Sequence, residues 1–224
     1  METVTTGPQL LEKVYDEVKR RFASVNDLAH GWDHVNRVYH LALHIAEQEG
    51  ADQTITGLAA LMHDLGRAAP HDDDRHHADL SIIYAEEIMQ RYHLPIEKQE
   101  AVKHAIIAHS FSKGVEAQTL EARVVRDADR LDALGAIGIM RWAITGIQRQ
   151  DAHTLPYHPE DPFAEQHLLN DKRYMLDHFY AKLLKLGDTM TTRTGRFLAQ
   201  RRIGFMQTYL HEFKRELTNS DINA

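Results

Sequence analysis

Four short stretches of this chain carry residue types that could hold a divalent cation. They are HGWDHVNRV (residues 30–38), LMHDLG (61–66), AIIAHSFS (105–112) and RDADRLDALGAIG (126–138). Three place histidine or aspartate beside an apolar helical face. The fourth sets Asp127, Asp129 and Asp132 at the expected head of a helix. Imidazole nitrogens and carboxylate oxygens together suit Mn²⁺, Fe²⁺, Co²⁺ or Ni²⁺, and Mg²⁺ less well. The chain has no cysteine, so thiolate sites and disulfides are excluded.

Taken singly, each residue also has an ordinary explanation. With 16 histidines and 18 aspartates in 224 residues, the dipeptide His-Asp arises by chance roughly 1.3 times. It occurs twice, at His63-Asp64 and His71-Asp72, so the setting has to distinguish them. His63-Asp64 closes an apolar helix, where it could ligate a metal or simply face the helix dipole. His34 borders the buried face formed by Val35, Val38 and Ile45, where a histidine hydrogen-bonded to backbone fits as well. Asp129 lies among Val124, Val125, Ala128 and Leu131, and either caps a helix or ligates.

These residues need elements to hold them, and the periodicity is helical almost throughout. Apolar positions at helical spacing run through Leu10–Val18, Val35–Ile45, Ile55–Met62, Ile82–Met89 and Val102–Ala108, and further helices are expected over 131–147, 172–186 and 191–217. The reading is all-α: one domain over 1–224, with a core at about 26–150 and a helical C-terminal extension at about 171–217. Segment 150–170, with Pro156, Pro159 and Pro162, is the longest irregular stretch and a candidate lid. No signal peptide or membrane span is legible, and a cytoplasmic location is expected. The net charge of −7 argues against a broad nucleic-acid surface.

In combination the motifs resemble the HD-domain metal-dependent phosphohydrolase superfamily. A first His, a His-Asp pair closing an apolar helix and a distant Asp carry the resemblance. The blocks HGWDHVNRV, AIIAHSFS, DADRLDALGAIGIMR, DPF and LDHFYAKLLKL are similar to the bacterial YedJ/YpgQ-like subgroup, over roughly residues 26–215. The resemblance implies a helical HD fold with His34, His63, Asp64 and Asp129 as ligands of one divalent ion, manganese favoured. Two coordination positions would remain for water and substrate. Some members carry an acidic residue on the turn after the doublet; here that turn is LGRAAP, with Arg67. The general base is therefore sought among Asp64, Asp132 and His109. Two-metal members add histidines after the doublet, a part open to His77, His104 and His109.

A phosphoryl substrate also needs cations for its non-bridging oxygens. Arg37 stands one turn after His34 and Arg130 adjoins Asp129. His178, Lys182 and Lys185 form a polar stripe at i, i+4 and i+7 that faces either the site or water. His77 is a further donor. The stretch PHDDDRHH reads as the rim of the site, with Asp72, Asp73 and Asp74 in a solvated turn. The expected activity is hydrolysis of a small phosphorylated metabolite, a nucleotide foremost, with the α–β link of a nucleoside triphosphate as the specific bond. The alternatives are a di-iron oxygenase on the same scaffold and a nucleotide sensor without turnover. Oligomeric state is not legible.

Overall fold

A computed structural model describes residues 7–69, 75–220 and 222. Among these residues there are nine α-helices: α1 Gly7–Arg21, α2 Trp32–Glu49, α3 Gln53–Met62, α4 His77–Arg91, α5 Ile96–His109, α6 Leu120–Asp132, α7 Gly135–Arg149, α8 Asp177–Ala181 and α9 Arg193–Leu217. The described residues contain no strand, only an isolated bridge between Leu155 and Tyr174. The all-α class is as the sequence implied. None of the described helices is long and apolar enough to cross a membrane.

The chain divides into two compact units, Met1–Asp129 with Thr191–Gly195, and Arg130–Met190 with Arg196–Ala224. In the first unit, α3 is the central element. Asp52 caps it, accepting from the amides of Thr54 and Ile55 at 2.8 and 3.0 Å. Every residue from Thr56 to Met62 is buried, and α1, α2 and α5 all pack on it. A helix apolar on all sides belongs in a core. Its C-terminal end therefore delivers His63 and Asp64 into the interior. Truncating a fully buried side chain here, such as Leu61, would cost ~2–5 kcal/mol.

Gly66 explains how the next helix reaches the same place. A Cβ on Gly66 would lie 2.0 Å from the His77 carbonyl oxygen. Its amide donates to the Ser81 hydroxyl at 2.9 Å. Only a residue without a side chain lets the first turn of α4 close on the turn after the doublet.

The second unit is built on Trp142, Phe179 and Tyr209, with the Trp142 and Phe179 rings edge to face at 4.9 Å. Segment 150–170 is well tied. Leu155 donates to Arg173 at 2.8 Å, and Met175 donates back to Leu155 at 2.9 Å. Asp161 accepts from the amides of Glu165, Gln166 and His167. The His167 ring bridges Asp161 and Asp177, 2.9 Å from each. Those hydrogen bonds raise the His167 pKa and favour its charged form.

Two helices differ from expectation. Residues 131–147 are not one helix: α6 ends at Asp132 and α7 starts at Gly135, whose φ of +75° breaks the run. α6 instead begins at Leu120, where the Thr119 hydroxyl accepts from the Ala122 amide at 3.2 Å. Asp129 is thus near the end of its helix, not at its head, and the capping alternative falls. Residues 172–186 are not one helix but α8 followed by a 3-10 helix over Leu183–Thr189, and the start is lost because Arg173, Met175 and Leu176 are engaged with Leu155 and Pro156. Lys182, at φ −135° and ψ −62°, then stops the helix. His178, Lys182 and Lys185 therefore do not share one helical stripe.

Candidate metal centre

Four side chains from three segments distant in sequence converge inside the first unit. His34 comes from the first turn of α2, His63 caps the C-terminus of α3, Asp64 follows it, and Asp129 comes from α6. The His34 Nε2 lies 3.3 Å from His63 Nε2 and 3.4 Å from Asp129 Oδ1. Asp64 Oδ2 is 3.8 Å from both imidazole nitrogens. Ligands adjacent on an octahedral ion at ~2.1 Å are separated by roughly 3 Å, so this spacing fits a shared cation.

The protonation pattern fits as well. His63 Nδ1 donates to the Ala60 carbonyl at 2.8 Å, which leaves its Nε2 with a lone pair towards the cluster. Burial lowers the His63 pKa to about 4, against the pull of Asp64, so the ring is neutral at pH 7. Burial opposes ionisation of Asp64, but the surrounding imidazoles and the Arg67 guanidinium hold it far below the usual carboxylate range. For Asp129, burial is likewise outweighed by the His34 hydrogen bond and the nearby imidazoles. Two imidazoles and two carboxylates are the donor set of a divalent ion. Asp64 Oδ1 adds a specific sign: it is buried and has no hydrogen-bond partner among the described residues. An orphaned carboxylate oxygen is costly unless something cationic satisfies it.

Asp64 also faces a second group. Its Oδ1 is 3.7 Å from His77 Nε2 and 3.8 Å from His109 Nε2. His109 Nδ1 donates to the Ile106 carbonyl, again leaving Nε2 as the lone-pair atom. His63, Asp64 and His109 present ligand atoms within 4.8 Å of one another, as do His34, His63 and Asp129. Asp64 thus stands between two overlapping ligand sets. Burial lowers the His77 pKa to about 4. His104 does not join them; its Nε2 accepts from the Gln118 amide at 3.0 Å.

Arg67, on the turn where an acid was sought, donates from Nε to Asp64 Oδ2 at 2.7 Å. Sequence reasoning marked it only as a departure; the i, i+3 spacing from Asp64 was the available signal. Arg37 is partly buried on α2. In the second unit, Asp132 is buried and paired with Arg141 at 3.1 Å. Arg130 donates to the Thr189 carbonyl at 2.9 Å. His178 Nδ1 lies 2.8 Å from Asp171, and burial lowers its pKa. The acidic part of the expected rim, 70–74, is outside the described residues. Beyond it, His76 Nε2 and the Ser112 hydroxyl are 2.8 Å apart.

The HD domain family matches residues 31–134. Bacillus subtilis YpgQ is 34% identical over 197 residues, 86% of each chain. A crystal structure of YpgQ in complex with ADP superposes with a TM-score of 0.71 at 29% identity, covering 94% of this chain and 96% of that one. An HD-superfamily hydrolase from Bacillus thuringiensis gives 0.73 at 31% identity, covering 95% and 99%. This chain belongs to the HD-domain hydrolase superfamily, in its YpgQ-like group.

Proposed function

We propose that the chain is a metal-dependent phosphohydrolase acting on a small phosphorylated metabolite, a nucleotide, with the α–β link of a nucleoside triphosphate as its preferred bond. The observation that carries this reading is the convergence of four side chains: His34 Nε2 and His63 Nε2 lie 3.3 Å apart, and Asp64 Oδ2 and Asp129 Oδ1 are each within 4.0 Å of both. The ADP complex of YpgQ supports the nucleotide. Mixed nitrogen and oxygen donors with no thiolate suit Mn²⁺, Fe²⁺, Co²⁺ or Ni²⁺, and manganese is the ion proposed first. The whole chain, 1–224, acts as one functional domain in the cytoplasm.

A bound divalent ion lowers the pKa of a water and polarises a phosphoryl oxygen. The protein's own groups do the rest. His109, whose Nδ1 donates to backbone, offers Nε2 as proton acceptor; Asp132 is committed to Arg141. Arg67 keeps Asp64 ionised and oriented. Arg37 and His77, in the first unit, are proposed to meet substrate phosphate or base; Arg130, His178 and Lys182 are the substrate-binding candidates of the second unit. The test is a phosphate- and pyrophosphate-release screen over nucleotides with several divalent ions. Absence of turnover beside tight nucleotide binding would leave a sensor.

The position of Asp64 favours a second reading. Its Oδ1 faces His77 and His109, so a second ion could share it, as a di-iron oxygenase requires. Two metals per chain with oxygen uptake would select that reading; one metal with phosphate release selects the first.

A further inference from the structure

We infer that Asp127 is a positioning residue for the candidate metal centre: by bolting the back of α6 to the start of α9, it sets the rotation that presents Asp129. This rests on the metal-site reading above. Asp127 and Asp129 are two residues apart on one helix, so they leave it roughly 200° apart, on opposite sides. Asp129 faces His34 and His63. Asp127, fully buried, faces away from them.

Its carboxylate is saturated by one short segment. The Thr192 amide and hydroxyl donate to Oδ2 at 2.7 and 2.8 Å. The Thr191 amide donates at 3.0–3.1 Å, and the Thr191 hydroxyl at 3.2 Å. Thr192 is at the same time the N-cap of α9, accepting from the Gly195 amide at 2.9 Å. The start of α9 is held on its other side too: the Thr194 amide and hydroxyl both donate to Glu49, the last residue of α2, at 2.6 Å. α2 is the helix that supplies His34.

Gly195 is an independent sign that this approach is built in. A Cβ there would sit 2.6 Å from both Asp127 Oδ2 and the Thr192 hydroxyl, and 3.1 Å from Asp127 Cβ. Alanine elsewhere in a helix is favourable by up to ~1 kcal/mol over glycine. Here it would push α6 from α9. The leverage is large: at a side-chain radius of ~5 Å, a rotation of about 10° moves a carboxylate by about 1 Å. Metal ligands tolerate ~0.2 Å.

The test is Co²⁺ binding by the chelator-stripped full-length chain, read by d–d absorption at a temperature well below each variant's melting point. Asp127→Asn keeps the shape but turns an amide NH₂ on donors. It should weaken Co²⁺ by at least ~10-fold and move the absorption bands. Gly195→Ala should do the same despite its better helix propensity. Thr192→Ser, which keeps the hydroxyl, should retain both affinity and spectrum. Folded Asp127→Asn and Gly195→Ala proteins with wild-type affinity and bands, and only a lower melting point, would reduce Asp127 to a structural role. Should Asp127→Asn not fold, Gly195→Ala decides by the same two readings. Failure of the wild type to bind Co²⁺ would instead remove the metal site itself, a result distinct from loss in the variants alone.

Discussion

His34 Nε2 and His63 Nε2, both on buried rings, approach to 3.3 Å in a cluster that also holds buried Asp64 and partly exposed Asp129. On His63 the opposite nitrogen donates to backbone, so no proton is left to make this a hydrogen bond from its side. A cation shared by both Nε2 atoms, or a proton carried by His34, accounts for the approach. A shared cation also engages Asp64 Oδ2 and Asp129 Oδ1, each within 4.0 Å of both rings.

Arg67→Ala would leave Asp64 buried and lacking its nearest cation. The metal-free protein should lose on the order of 2 kcal/mol, because a buried carboxylate loses its partner. Bound metal should recover part of that loss. Chemical denaturation with and without chelator measures both, and equal losses in the two conditions would contradict the shared role of Asp64.

Stability of the metal-free protein should fall in mild acid. His63 and His77 have folded pKa values of about 4, below the ordinary 6.5. The unfolded chain therefore takes up protons first. The stabilising contribution is complete above about pH 6.5 and is lost as pH falls towards 4. Melting temperatures in chelator should decline across that window, and His77→Gln should flatten the decline. A flat profile in the parent protein would mean that folding does not depress the pKa of these rings.

Lys182→Ala separates substrate from metal. The lysine belongs to the second unit and contributes none of the clustered ligand atoms. Metal content should stay normal while KM rises several-fold. If its charge acts only on the transition state, kcat falls as well. Steady-state kinetics beside elemental analysis checks this, and unchanged kinetics would return Lys182 to a solvated face.

Part of the site was legible where its signal is local. An apolar run ending in His63-Asp64 read as a core helix with the pair at its end, while ligation and a helix-dipole role both stayed open. His77 and His109 were legible as helix ends, and α4 begins and α5 stops on them. What could not be read was set by contacts distant in sequence. Asp129 looked like a cap because Leu131 onwards is apolar, yet the φ of Gly135 moved the helix boundary and α6 began eleven residues further back, at Leu120 rather than Leu131. Asp127 looked like its twin, but only the chain's return at Thr191 and Thr192 reveals its different task. The stripe through His178 and Lys182 had helical spacing, but the backbone bonds of Met175 and Leu176 to Leu155 and Pro156 shorten the helix.

The most direct test of the central claim is metal-dependent release of phosphate or pyrophosphate from nucleotides by chelator-stripped protein titrated with Mn²⁺. Turnover should be absent without the ion and saturable with it, and Asp129→Ala should show neither metal binding nor turnover. Full activity in metal-free Asp129→Ala protein would contradict the metal-dependent mechanism.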